Sequence, residues 1–241
     1  MQKVYEFWGM QRSGNHAILN WQLENFSDGS QKQPILDRCP MNHRIADDNS
    51  FHTNDTLFLN AIVWDDKKNI SDINLRKYLK LKFNNIIFSY EDSHFNKSLG
   101  LPCKQFVIMR NLENLIASRL QDPIEWRIDD NFFEMWETHA RSNIPKIHYD
   151  KWLVDKSYRD SIAQMFNTDN KDITSTMSVA GGGSSFIGMK LDKPENLLTR
   201  YRQIDIPPDI KKKIMYYGER NPEFCNPERL KERVAPPEFK S

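Results

Sequence analysis

Gly9-Met10-Gln11-Arg12-Ser13-Gly14-Asn15-His16 has the glycine spacing of a loop that cradles phosphate oxygens with backbone N–H groups at a helix N-terminus. In the Walker A form of that loop, the second glycine is followed by a Lys that reaches the β/γ-phosphates and a Ser or Thr that holds Mg²⁺. Here those positions carry Asn15 and His16. The loop keeps its capacity for an anion and lacks the metal ligand, which points to a phosphate-bearing donor handled without metal. Arg12 adds a guanidinium inside a turn where any small polar residue would serve.

A second constellation lies further along the chain. Gln105 to Met109 is a short apolar run of the kind found in buried strands, and Arg110 follows it at once. The C-terminal end of a buried parallel strand is where open α/β sheets bind ligands, so Arg110 is expected in the crevice. Asn111, Asn114 and Ser118 follow at helical offsets, and an Arg at a strand tip with a Ser on that helix can clamp a second phosphate. The alternative is that Arg110 pairs with a surface carboxylate and Asn111 only caps the helix.

Together these residues resemble the sulfotransferase superfamily that uses 3′-phosphoadenosine 5′-phosphosulfate. Arg12-Ser13-Gly14 is similar to the family's 5′-phosphosulfate loop, in which Lys-Ser-Gly-Thr-Thr is common. Arg110 and Asn111, with Ser118 eight residues after the Arg, are similar to its 3′-phosphate motif. The resemblance implies a P-loop-type three-layer α/β domain, a central parallel sheet flanked by helices. It also implies transfer of a sulfuryl group to an acceptor hydroxyl or amine, in-line and without metal, leaving adenosine 3′,5′-bisphosphate. Arg12, Ser13, Gly14, Asn15 and His16 would hold the 5′ end, with Arg12 stabilising the leaving group, and Arg110 and Ser118 would hold the 3′-phosphate.

The family places a Glu or a His base at a strand end upstream of the 3′-phosphate motif, and Glu91 and His94 both stand there, after the apolar run Asn85 to Tyr90. Glu91, the first carboxylate beyond that run, is the favoured catalytic base and His94 the alternative; Asp92 and Ser93 read as turn or cap residues. The stretch Gly181 to Gly188 suits close backbone approach to an anion, so Gly183, Ser184 and Ser185 join the cofactor candidates. Better-known cytosolic members carry Arg-Lys-Gly in the corresponding loop, and a flexible linker or mobile lid is the competing reading. Tyr149, expected at another strand end, resembles the family's aromatic contact to adenine. His43, His52, His139 and His148 show no ligand spacing. Two rivals remain: a P-loop nucleotide kinase or NTPase, with Leu57 to Trp64 and Asp65-Asp66 as a Walker B-like strand, and a catalytically inert nucleotide-binding protein.

These residues need strands and helices in alternation. Lys3 to Trp8, Leu57 to Trp64, Asn85 to Tyr90, Gln105 to Met109 and Lys146 to Tyr149 read as strands. His16 to Phe26, Phe132 to Arg141, Tyr158 to Phe166 and Asp209 to Tyr217 read as helices, the last opened by Pro207-Pro208 and closed by Gly218. Such alternation predicts a parallel sheet covered on both faces. Ser27 to Thr56 reads as a long surface insertion. Residues 1–220 are expected to form a single domain and 221–241 an extended or disordered tail.

The whole composition suits a cytoplasmic enzyme. Lys plus Arg number 34 against 33 Asp plus Glu, which gives no electrostatic case for a nucleic-acid partner. The three cysteines are isolated, against both a disulfide framework and a zinc ribbon. No apolar run approaches membrane-spanning length, and the early first strand leaves no room for a signal peptide. The expected partner is a small-molecule or glycan acceptor.

Overall fold

In the computed structural model, the chain opens on β1 (Lys3–Gly9), turns through the glycine loop and enters helix α1 (Asn15–Phe26). The structure describes residues 2–26, 33–34, 51–62, 83–95, 102–121, 127–172 and 194–225. Two short strands, β2 (Gln33–Pro34) and β3 (Phe51–His52), precede β4 (Thr56–Ile62) and β5 (Asn85–Glu91). Next come β6 (Lys104–Met109) and helices α2 (Leu112–Leu120) and α3 (Asp130–Arg141). Strand β7 (Lys146–His148) leads into α4 (Tyr149–Val154) and α5 (Lys156–Met165). A 3₁₀ segment, Pro194–Gln203, and helix α6 (Pro208–Arg220) complete the order.

The sheet runs β2-β3-β4-β5-β1-β6-β7. From β4 to β7 every neighbouring pair is parallel, while β2 and β3 add antiparallel to the β4 edge. The chain leaves β1 for strands on one side of it and returns, after β5, to β6 on the other. Strand order therefore reverses at β1, and in open α/β sheets the crevice at such a reversal is the ligand position.

Side-chain alternation along the strands explains the two helix layers. On one face Tyr5, Phe7, Ile87, Phe106 and Ile108 pack with Ile18, Leu19 and Trp21 of α1 and with Trp152 and Ile162 of α4 and α5. On the other, Trp8, Phe88, Tyr90, Val107 and Met109 pack with Leu115 and Ile116 of α2, Phe133 and Trp136 of α3, and Ile214 of α6. All seven residues of β5 are buried, as a central parallel strand covered on both sides requires. The result is a three-layer α/β arrangement. Helix starts follow side-chain caps where they are present: Asp129 accepts from the Phe132 N–H at 3.0 Å and Asp155 from the Tyr158 N–H at 3.1 Å.

Four local expectations are corrected. Tyr149 does not end β7 but begins α4. Gly218 does not close the last helix; it is buried within α6, which continues to Arg220. The 27–56 stretch is not all insertion, since 33–34 and 51–52 join the sheet. Strands of two residues carry no readable period, so pattern could not find them. The predicted β4 run to Trp64 is described as strand as far as Ile62, and positions 63–66 lie outside the described residues. The packed chain also runs past α6, because Phe224 and Cys225 are buried and the Phe224 carbonyl accepts the Leu112 N–H at 3.0 Å.

Candidate functional site

The C-terminal ends of β1, β5, β6 and β7 bring together the glycine loop, Glu91, Arg110 and Tyr149. The loop turns tightly: the Ser13 N–H donates to the Met10 carbonyl at 2.9 Å, and the Gly14 carbonyl accepts the first helical amides of Ala17 and Ile18. Arg12 (φ 72°) and Gly14 (φ 93°) both take left-handed backbone. Gly14 has a second constraint, since a Cβ there would lie 2.1 Å from the Tyr149 ring. The Gly14 and Asn15 amides find no acceptor among the described residues. No acidic side chain lies within the first turn of α1 itself; the carboxylate that reaches this positive end is Glu91, through Asn15.

Asn15 forms a hydrogen-bond relay between Ser13 and Glu91. Its Oδ1 accepts from the Ser13 hydroxyl at 2.7 Å, and its Nδ2 donates to Glu91 Oε1 at 3.1 Å. The side chain lies directly over Gly9, where a Cβ would fall 2.1 Å from Asn15 Oδ1, so only glycine lets it pass. His16 Nε2 stands 3.9 Å from the same Glu91 oxygen. Glu91 is buried and turned to the loop, whereas His94 is exposed. Of the two base candidates, Glu91 is the one whose side chain is joined to the loop, through Asn15.

Arg110 is 3 % exposed, and among the described residues its guanidinium donates to two main-chain oxygens, Arg12 at 3.0 Å and Leu197 at 3.4 Å. Its Nε has no partner, and no carboxylate pairs with it among the described residues. The surface-carboxylate alternative therefore does not describe Arg110. Asn111 is the α2 N-cap residue without a side-chain cap bond. The helix start is instead covered by Asp150, which accepts the Asn111 N–H at 2.7 Å, and by the Phe224 carbonyl on Leu112. Asn114 donates to the Leu198 carbonyl at 2.8 Å, with its own Oδ1 unpartnered, so the 3₁₀ segment lies against the Arg110 motif. Ser118 is buried two turns along α2. The Tyr149 ring is wedged between Gly14 and Arg110, whose Cζ sits 5.1 Å from the ring centroid; it is buried packing, not an open aromatic face. Gly183, Ser184, Ser185 and His43 lie outside the described residues.

Beyond Glu91, the segment that follows β5 rests on His139. This imidazole is fully buried; its Nε2–H donates to the Ser93 carbonyl at 3.1 Å and its Nδ1 has no partner. Burial pushes its pKa down to about 4, helped by the nearby His94 and opposed by the Ser93 bond. The native state therefore holds His139 neutral while the unfolded chain protonates at the ordinary value near 6.5, so stability is lost as pH falls from about 6.5 towards 4. The expected slope from this group is about 1.4 kcal/mol per pH unit. Urea unfolding across that window checks it: His139→Gln, which keeps an N–H donor but does not titrate, should flatten the acid loss.

Burial, with Glu6 adding to it, pushes the Cys103 thiol up to about 12, far from a nucleophilic thiolate. Among the described residues no cluster of His, Cys, Asp and Glu is placed to hold a metal ion, and no helix is long and apolar enough to cross a membrane. No protein-family model, curated protein or solved structure matches the chain.

Sequence reasoning missed Arg119, the carboxylate role of Asp92, and the Leu197–Leu198 carbonyls. None carries a local motif; each acquires its contact from a partner distant in sequence.

Proposed function

We propose that this chain is a sulfotransferase of P-loop type, moving a sulfuryl group from 3′-phosphoadenosine 5′-phosphosulfate to an acceptor hydroxyl or amine. One observation carries the reading. A buried arginine without a carboxylate partner, a glycine loop with open amides and a buried carboxylate tied to that loop converge where the strand order reverses. A buried guanidinium is costly unless an anion compensates it, and a nucleotide bearing phosphates at both ends supplies two. In this reading the loop amides take the 5′ end of the donor, and Arg110 and Ser118 its 3′-phosphate.

Catalysis then rests on positioning and charge stabilisation. The acceptor oxygen or nitrogen forms a bond to sulfur as the bond from sulfur to the bridging oxygen breaks, and adenosine 3′,5′-bisphosphate leaves. Glu91 takes the acceptor proton. Arg12 stabilises the charge growing on the leaving phosphate, while Ser13, Gly14, Asn15 and His16 hold it. Asn15 and His16 offer neither the phosphate lysine nor the Mg²⁺ hydroxyl of a nucleotide kinase, which favours the sulfuryl reading over that rival.

Thermal unfolding tests the reading. Adenosine 3′,5′-bisphosphate is expected to stabilise the fold by about 2.7 kcal/mol at a hundredfold excess over Kd, with ATP and Mg²⁺ giving much less. Equal shifts from both, or a strict Mg²⁺ requirement, would favour a kinase.

A further inference from the structure

Two arginines grip consecutive carbonyls of the glycine loop. Arg110 Nη1 donates to the Arg12 carbonyl at 3.0 Å, and Arg119 Nε to the Gln11 carbonyl at 3.3 Å. Arg119 also pairs with Asp92 at 2.7 Å, and the same Asp92 oxygen accepts the Gln11 N–H at 3.1 Å. The Gln11 residue is thus held at both its N–H and its carbonyl by one ion pair. Neither partner is free to wander. Arg119 is buried, with Nη1 on the Arg127 carbonyl at 3.0 Å and its Cζ 4.5 Å from the Phe132 ring centroid. Asp92, at φ 47°, donates its own N–H to the Gly9 carbonyl at 3.0 Å.

An anion loop must keep its carbonyl oxygens turned away from the anion, because they carry the wrong sign of partial charge. A trans peptide points its N–H opposite to its C=O, so drawing the Gln11 carbonyl onto Arg119 sends the Arg12 N–H the other way. Arg12 is a non-glycine residue in left-handed backbone, a conformation that costs free energy and persists only where its surroundings hold it. Rotation of the flanking peptides is the natural relief, and the contacts to Gln11 and Arg12 block it.

We infer that Asp92 and Arg119 are a positioning pair that holds the loop backbone ready for the 5′-phosphate end of the nucleotide. Through them the loop, the strand end that carries Glu91 and the helix that carries Ser118 are fixed to one another. The inference rests on the loop being a phosphate site, as proposed above.

The test is calorimetric titration of the full chain and its variants with adenosine 3′,5′-bisphosphate and adenosine 5′-phosphate. Asp92→Ala and Arg119→Lys are each expected to weaken both nucleotides by the same factor, about tenfold or more for a lost charge-assisted bond. Asp92→Asn, which keeps an oxygen for the Gln11 N–H, should recover part of that loss. Four results would overturn the inference: unchanged affinities in Asp92→Ala and Arg119→Lys; a larger loss for the bisphosphate than for the monophosphate, which would mean damage reaching the 3′ site; no difference between Asn and Ala at position 92; or failure of both Asp92→Ala and Arg119→Lys to fold, which would assign the pair to the scaffold. A wild-type chain that binds neither nucleotide would instead remove the phosphate reading itself, and the inference with it.

Discussion

Glu91→Gln is expected to lower kcat by about 10²–10⁴-fold on any acceptor that the wild-type chain sulfates, with bisphosphate affinity nearly unchanged. The separation of the two effects comes from Asn15. Its Nδ2 donates to Glu91 Oε1, and a glutamine oxygen can accept that bond equally well, so the Ser13–Asn15 relay and the loop shape survive. What glutamine cannot do is take a proton. His94→Asn should be mild, because His94 is exposed, whereas Glu91 is buried and bonded to Asn15 of the loop. Steady-state rates and bisphosphate titrations on both variants check this. An inactive, folded His94→Asn protein beside a near-normal Glu91→Gln protein would transfer the base to His94.

The site was legible where its chemistry is contiguous in sequence. Gly9 to His16 is one turn between a strand and a helix, and Arg110 is the first residue after a strand, so pattern alone located both. The central strands were legible for a related reason: β5 and β6 are covered on both faces, and Ile86 to Phe88 and Phe106 to Met109 read as short apolar runs. The edge strands β2 and β3 are too short to show alternation, and β7 has only three residues before α4 begins.

Contacts between distant segments were not legible. Asp92 read as a turn residue, and its φ of 47° agrees; its carboxylate, however, serves Gln11 and Arg119, which no local spacing announces. Asn111 occupies the N-cap position, yet the helix start is satisfied by Asp150 and Phe224. Tyr149 is aromatic at the expected place, but Gly14 and Arg110 occupy the space around its ring. In each case the residue type was compatible with two roles, and tertiary packing selected between them.

Arg110→Met is expected to separate binding from folding. The guanidinium is buried with two main-chain acceptors, a bare Nε and no carboxylate among the described residues. Replacing an uncompensated buried cation by an apolar side chain of similar length removes a desolvation cost, so the unliganded variant should unfold at the same temperature as the wild type or higher. Nucleotide binding should change in the other direction. Loss of the donor to the Arg12 carbonyl loosens the loop, so adenosine 5′-phosphate should weaken modestly, by about threefold to tenfold for one hydrogen bond. The bisphosphate should lose roughly a hundredfold, because two charge-assisted bonds to its 3′-phosphate disappear as well. Calorimetric titration of both nucleotides, with thermal unfolding of the free variant, reads all three quantities. Equal losses for the two nucleotides would show that Arg110 acts on the loop alone and that the 3′-phosphate assignment is wrong. A marked drop in the stability of the free protein would show that the two carbonyl contacts already compensate the buried charge, and the case for an anion there would fall.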